Sequence, residues 1–262
     1  MNDYHVHTYL CKHAEGQVYE YVESAIEKKV EQLGFAEHIP IPGLHDPDGR
    51  MLIDEFELYL QYIEEAKKNY KEIKILLGIE ADYLPAHMSF IEDFLKRYPF
   101  DFVIGSVHFI GEWDFTNPLY QKQYEHYGVD NTFQDYYKLV REAAATGLYD
   151  IIGHLDIPKK FGHNATVDLS DEINKTLNAI KRYELVLDVN TSGLRKPAKE
   201  IHPSEEILRR AREYDIPVIL GSDAHHPSDV AYAFKETMIL LKKMGFNHTC
   251  VYDKRKRENI PL

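Results

Sequence analysis

Three histidines, His5, His7 and His13, stand in the opening stretch MNDYHVHTYLCKHAEG, just behind the carboxylate Asp3. Imidazole nitrogens take transition metals readily, and carboxylates complete such sites. Two histidines two residues apart on an extended segment point to the same side of it. Comparable groups recur along the chain: His38 in GFAEH, Glu80 and Asp82 in GIEADY, His108 in GSVHF, His154 in GHLD, Asn190 in LDVN, and Asp223 with His225 in GSDAH. A set of this kind suits several divalent ions at once. It also suits hydrolysis, in which a metal-held hydroxide with a lowered pKa attacks at neutral pH.

The elements around these residues explain how they would meet. Short β-rich runs are DYHVH, QLGFAEH, IKILLGIEADY, DFVIGSVHF, YDIIGHLD, ELVLDVN and IPVILGSDAH. Helical patterns fall between and after them at 17–30, 54–71, 87–97, 132–146, 170–182, 203–214 and 229–243. In DEFELYLQYIEEAKKNY the apolar face reads Phe56, Leu60, Ile63 and Ala66. Ser170 and Ser204 are read as helix caps. Strand and helix alternating in this way predict a parallel sheet. With no Gly-rich phosphate turn after the first strand, a closed α/β barrel is favoured over an open doubly wound sheet. In such a barrel the active site forms at the C-terminal strand ends, where His5, His7, His38, Glu80, His108, His154, Asp223 and His225 all fall, with His13 in the first loop on the same rim. One histidine in an apolar strand needs only a hydrogen-bond partner. Seven histidines and two carboxylates crowded together repel when charged and need partners when neutral, and metal coordination satisfies them together. His45, His87, His126, His163, His226 and His248 are read as solvated, and Cys11 as a minor candidate ligand beside a filled site.

Composition limits the partners. The 262 residues carry a net charge of −12 and 44% hydrophobic residues, with a mean hydropathy of −0.44. That length holds one large domain, here 1–262. An acidic chain disfavours a nucleic-acid backbone. No apolar run reaches the ~18 residues of a membrane span, and the first residues do not read as a signal peptide. Two cysteines, Cys11 and Cys250, make no disulfide framework and fit a reducing cytoplasm.

The segments HVHT, GIEADY, GSVHF and SDAH, in this order, resemble the four motifs of the PHP (polymerase and histidinol phosphatase) superfamily. CKHA, AEHIP and GHLDIPKKFG resemble its stand-alone histidinol-phosphatases, and the likeness runs over essentially the whole chain. It implies a distorted (β/α)7 TIM-like barrel and a centre of three divalent metal ions, whether Zn, Fe or Mn. Carried over by position, His5, His7, Glu80 and Asp223 would hold the first ion. Glu80, His108 and His154 would hold the second, with Glu80 bridging, and His13, His38 and His225 the third. The implied activity is hydrolysis of L-histidinol phosphate to L-histidinol and phosphate, in histidine biosynthesis, by a metal-bridging hydroxide.

Candidate substrate contacts lie on the same rim. Arg195 in NTSGLRKP offers a planar fork to phosphoryl oxygens. Trp113, flanked by Glu112 and Asp114, either receives the imidazole and ammonium ends of histidinol or packs as a lid. His202 follows the sixth strand, facing the rim, and Lys159 and Lys160 are read as solvated. The rival readings are a phosphatase of another small phosphomonoester or of phosphotyrosine, a DNA exonuclease, a metal-dependent amidohydrolase, and a metal-storage protein. The net charge disfavours the exonuclease. Glu80, where amidohydrolases often carry a carboxylated lysine, disfavours that class.

Overall fold

The computed structural model describes residues 1–44, 46 and 48–262; His45, read as solvated, lies outside them. In chain order its strands are β1 (Asn2–Val6), β2 (Gln32–His38), β3 (Lys74–Asp82), β4 (Phe102–Ser106), the hairpin β5 (Phe109–Ile110) and β6 (Trp113–Asp114), β7 (Ile151–Ile152), β8 (Val186–Asn190), β9 (Val218–Gly221), and the hairpin β10 (His248–Asp253) and β11 (Lys256–Pro261). Seven of them form one parallel sheet, ordered β1-β2-β3-β4-β7-β8-β9. Its two edges meet: Ala224 O accepts from His7 N at 3.0 Å, and His5 O accepts from Ala224 N at 3.3 Å. Asp3 reinforces this seam. Its carboxylate accepts from the backbone N–H groups of Ser222 at 2.9 Å and Ala231 at 2.8 Å. The carboxylate ahead of the first histidines therefore closes the barrel.

Around the sheet run α1 (Val18–Glu27), α2 (Phe56–Asn69), α3 (Met88–Arg97), α4 (Gln123–Tyr127), α5 (Val129–Ala145), α6 (Ser170–Arg182), α7 (Glu205–Glu213) and α8 (Phe234–Lys243). The expected alternation is present, with α4 and the two hairpins in addition. On α2 the buried face is Phe56, Tyr59, Ile63 and Ala66, with Leu60 only half-buried. Tyr59 takes the inner place because its hydroxyl donates to the Phe35 and Gly78 carbonyls. Ser204 Oγ accepts from Ile207 N as a cap. Ser170 does not cap; Asp168 Oδ1 takes the Ser170 N–H instead.

The barrel interior is filled at its N-terminal end. Tyr4, Leu76, Phe102, Ile104, Ile151, Val186 and Ile219 pack there under Cys250, Val251 and Tyr252 of β10. The Phe102 ring fits because β2 and β3 carry glycines beside it: a Cβ at Gly34 or Gly78 would come within 2.6 or 2.2 Å of that ring. Side chains plug the bottom, so the C-terminal strand ends are left for polar groups.

Candidate metal centre

The strand ends deviate from the ladder where the site begins. β7 keeps only Ile151 and Ile152, after which His154 has φ 22° and Asp156 φ 74°. Asp223 and His225 lie beyond Gly221, with Asp223 at φ 51°. Their convergence with His5 and His7 thus comes from a turn of the chain and not from strand alternation.

Glu80 sits at the centre, fully buried. Its Oε2 lies 3.0 Å from His38 Nδ1, 3.4 Å from His5 Nε2 and 3.5 Å from His7 Nε2. Its Oε1 lies 2.9 Å from His154 Nε2 and 3.5 Å from His108 Nε2. Asp223 Oδ1 is 3.3 Å from His7 Nε2 and 3.9 Å from His5 Nε2. On the rim side, His225 stacks between His7 and His13, with ring centroids 4.2 and 4.6 Å away, and His13 is 5.7 Å from His38. All nine residues are together at one end of the barrel. Groups whose ligand atoms all lie within 4.8 Å of one another include His5–Glu80–His154, His5–His7–Asp223, His7–His38–His225, Cys11–His13–His225 and His7–Cys11–Glu37. The third differs from the expected trio by exchanging His13 for His7, and the fourth and fifth bring Cys11 in. Burial pushes the Cys11 thiol up, away from the thiolate a metal takes.

Hydrogen bonds fix which nitrogen faces inward. His5 Nδ1 meets Asp188 Oδ2 at 2.8 Å, His108 Nδ1 meets Asp82 Oδ1 at 2.7 Å, and His7 Nδ1 lies 3.4 Å from Glu37 Oε1. His13 and His225 use Nδ1 on the carbonyls of Cys11 and Asp223, at 2.9 and 3.0 Å. Buried polar atoms are then left without partners: His5, His7 and His225 Nε2, His38 and His154 Nδ1, and Glu80 Oε2. Leaving such atoms unsatisfied is costly, and outer carboxylates on ligating histidines are the usual support of a metal site. The donor set therefore fits divalent ions.

The buried groups set one another's charge. Burial raises the cost of a charged Glu80, yet His5, His38 and His108 outweigh it and hold the carboxyl well below its usual range. Burial disfavours a charged His108, but Asp82 and Glu80 lift it to about 9. Burial drops His38 to about 4, although Glu80 opposes this. Glu37 and Asp188 were missed as site residues in the sequence. Asp188 left a trace there, as the one acid within the apolar run LVLDV of a doubly covered strand.

A cavity of about 530 Å³ opens over this centre, lined in part by His13, His38, Glu80, His108, His154, Asp223 and His225. Arg195, Lys160, Lys196, Asp48 and Asp114 share its wall. Three expected contacts lie elsewhere. Trp113 is buried against Phe115, Tyr124 and Tyr127, its Nε1 donating to Tyr120 O; Glu112 is exposed; His202 is buried with Nδ1 on Asp156 Oδ1 at 2.7 Å. None of these three lines the cavity. Arg195 does, but Nη2 donates to Ser222 O at 2.7 Å and Asp223 O at 3.2 Å, and Nε lies 3.2 Å from Asp229 Oδ2. Only Nη1 is unpartnered among the described residues, so the two-nitrogen fork is not available. The lysines read as solvated are not: Lys159 is buried with Asp156 and Glu200, and Lys160 faces the cavity. His126, His226 and His248 are exposed as expected, whereas His163 is half-buried, stacked on Tyr124 at 4.1 Å.

The sequence model of the PHP domain family matches residues 3–192. A probable histidinol-phosphatase of Deinococcus radiodurans is 38% identical over 257 residues, 98% of either chain. The histidinol-phosphatase of Bacillus subtilis is 32% identical over 258 residues, 89% of this chain and 96% of that one. The putative histidinol phosphatase HisK of Listeria monocytogenes has a similar structure, with TM-score 0.82 and 26% identity over 90% of this chain and 99% of that one. The fold is also that of Lactococcus lactis histidinol phosphate phosphatase in complex with zinc, L-histidinol and phosphate, with TM-score 0.82 and 24% identity over 98% of both. The chain belongs to the PHP domain family and, within it, to the histidinol-phosphatases.

Proposed function

We propose that this protein is a metal-dependent phosphoric monoester hydrolase that converts L-histidinol phosphate to L-histidinol and phosphate, a step of histidine biosynthesis carried out in the cytoplasm by residues 1–262 as one domain. The observation that carries the reading is the set of partnerless imidazole and carboxylate atoms of the centre, opening into a cavity whose wall carries Arg195, Lys160 and Lys196 beside Asp48 and Asp114. The names of the relatives support it, as do the zinc, histidinol and phosphate held by the Lactococcus lactis protein.

His5, His7, Glu80 and Asp223 would hold one ion, Glu80, His108 and His154 a second, and His13, His38 and His225 a third. Three divalent ions, Zn, Fe or Mn, supply the positive charge that neutralises a phosphate dianion and lowers the pKa of the attacking water. Asp188, Glu37 and Asp82 orient the histidines, so the centre is set before substrate arrives. Arg195 adds fixed positive charge at the phosphoryl end, and Lys160 lines the same cavity. Asp114 has its Oδ1 locked by Thr116 N, Thr116 Oγ1 and Asn117 N, and this set carboxylate suits the ammonium or imidazole of histidinol.

The test is metal analysis of the purified protein together with phosphate release from histidinol phosphate, phosphotyrosine and other small monoesters. A kcat/KM highest on histidinol phosphate, lost on chelation and restored by metal, is expected. A higher value on another monoester would reassign the substrate.

A further inference from the structure

Lys160 sits in the short turn Ile157–Phe161 that follows β7 and His154. Its neighbour Lys159 is consumed by structure, with Asp156 Oδ2 at 2.9 Å and Glu200 Oε2 at 2.8 Å. Lys160 has no such partner among the described residues. Its Nζ donates to Thr116 O at 3.0 Å, its one acceptor among the described residues, and lies 5.6 Å from the Phe161 ring centre. The residue is half-buried and lines the cavity. It shares that cavity with Asp223 and Glu80 of the metal centre, and Thr116, whose carbonyl takes its Nζ, also donates to Asp114 Oδ1 through its N–H and hydroxyl. The ammonium is therefore placed between the groups that would take the phosphoryl end and the group suited to the organic end. A monoester with its phosphoryl group on the metal centre and its organic end on Asp114 would bring its ester oxygen to that junction.

An alkyl phosphate needs a proton there, because an alkoxide is a poor leaving group. Arg195 cannot release one. Asp229 is paired with Arg195, and the cavity histidines are candidate metal ligands. Enclosure and the nearby Lys196 push the Lys160 ammonium below its ordinary value, so it gives up a proton more easily.

We propose that Lys160 is the general acid that protonates the leaving alcohol. The phosphorus–oxygen ester bond breaks, its electron pair stays on the leaving oxygen, and an N–H proton of Lys160 joins that oxygen. Water supplies the new oxygen on phosphorus and gives up a proton to solvent. The Lys160 amine regains one from solvent, so the sum is ester plus water to alcohol plus phosphate. The assignment rests on the phosphomonoesterase reading above.

The test compares Lys160→Met and Lys160→Arg on histidinol phosphate and on p-nitrophenyl phosphate, whose leaving group departs without a proton. Metal content and circular dichroism are checked in each variant, and the Ki of inorganic phosphate is measured. In Lys160→Met, kcat on the alkyl ester should fall roughly a hundred- to ten-thousand-fold, and the fall on the aryl ester should be at least about tenfold smaller. Lys160→Arg should keep the Ki of phosphate without restoring the alkyl rate. A ratio of the two losses below tenfold, or rescue of the alkyl rate by arginine, would show that Lys160 contributes charge alone and would overturn the proposal. If Lys160→Met misfolds, the same ratio in Lys160→Arg decides. Should the wild type ignore histidinol phosphate yet cleave glycerol phosphate, the substrate assignment fails, and the same comparison on glycerol phosphate still decides the role of Lys160.

Discussion

His5 Nδ1 lies 2.8 Å from Asp188 Oδ2, and the other nitrogen of the same ring is buried without a partner, 3.4 Å from Glu80 Oε2. The carboxylate holds the proton on Nδ1, which leaves a lone pair on Nε2 aimed at the centre. Asp188→Asn keeps the shape but loses the charge that enforces this tautomer. It should weaken metal affinity about 10- to 100-fold, read by chelator competition, with the fold intact. Unchanged affinity would remove Asp188 from the metal site.

Glu80 approaches five imidazoles, so Glu80→Gln should do more damage than loss of any one histidine. The expected outcome is loss of bound metal and a fall of several orders of magnitude in kcat/KM. Metal analysis and steady-state kinetics on one sample check both, and a variant that keeps its full metal complement would argue against Glu80 as the bridge.

Saturated protein should hold about three ions per chain, the number its donor groups suit. His13→Ala should reduce this by one and weaken phosphate binding, with the pair around Glu80 retained. Only one ion in the saturated wild type, or wild-type kcat/KM in the variant, would contradict the three-ion arrangement.

Arg195 ties the turn Ser192–Arg195 to the carbonyls of Ser222 and Asp223. Arg195→Ala should cost roughly 2–4 kcal/mol in kcat/KM, the scale of a lost charge-stabilising donor. Because those carbonyls lose a charged donor, thermal stability should fall as well. Arg195→Lys should recover part of each. A variant of unchanged activity and Tm would show that these contacts contribute to neither.

Asp82 joins His108 to the buried Arg50, whose Nη1 lies 2.9 Å from Asp82 Oδ2. Asp82→Ala leaves the buried guanidinium with Asp46 as its one carboxylate among the described residues, beside the Ile39 carbonyl, and should destabilise the fold by about 3–5 kcal/mol in denaturant titration. Burial works against a charged Asp82, but His108 and Arg50 overcome it and hold its pKa far below the unfolded value of about 3.9. Its contribution is thus full above that value and is lost only as pH falls below it. Stability of the wild type relative to Asp82→Ala should be level near neutrality and converge in strong acid; a gap that already closes near pH 6 would contradict this.

The sequence alone determined the barrel and its reactive end. Strand and helix periods are local, so the alternation from DYHVH to IPVILGSDAH was legible, and the histidines and carboxylates at the strand ends marked one rim. Tertiary structure decided the rest, because hydrogen-bond partners distant in the chain leave no periodic trace. Asp188 reaches His5 across 183 positions, and Asp3 reaches Ser222 across 219. Nothing local distinguishes adjacent lysines, yet the turn after β7 buries Lys159 on carboxylates and leaves Lys160 facing the cavity. Trp113 went the other way, into the aromatic packing of Phe115, Tyr124 and Tyr127, because a large apolar ring gains more from burial than from lining a wet pocket.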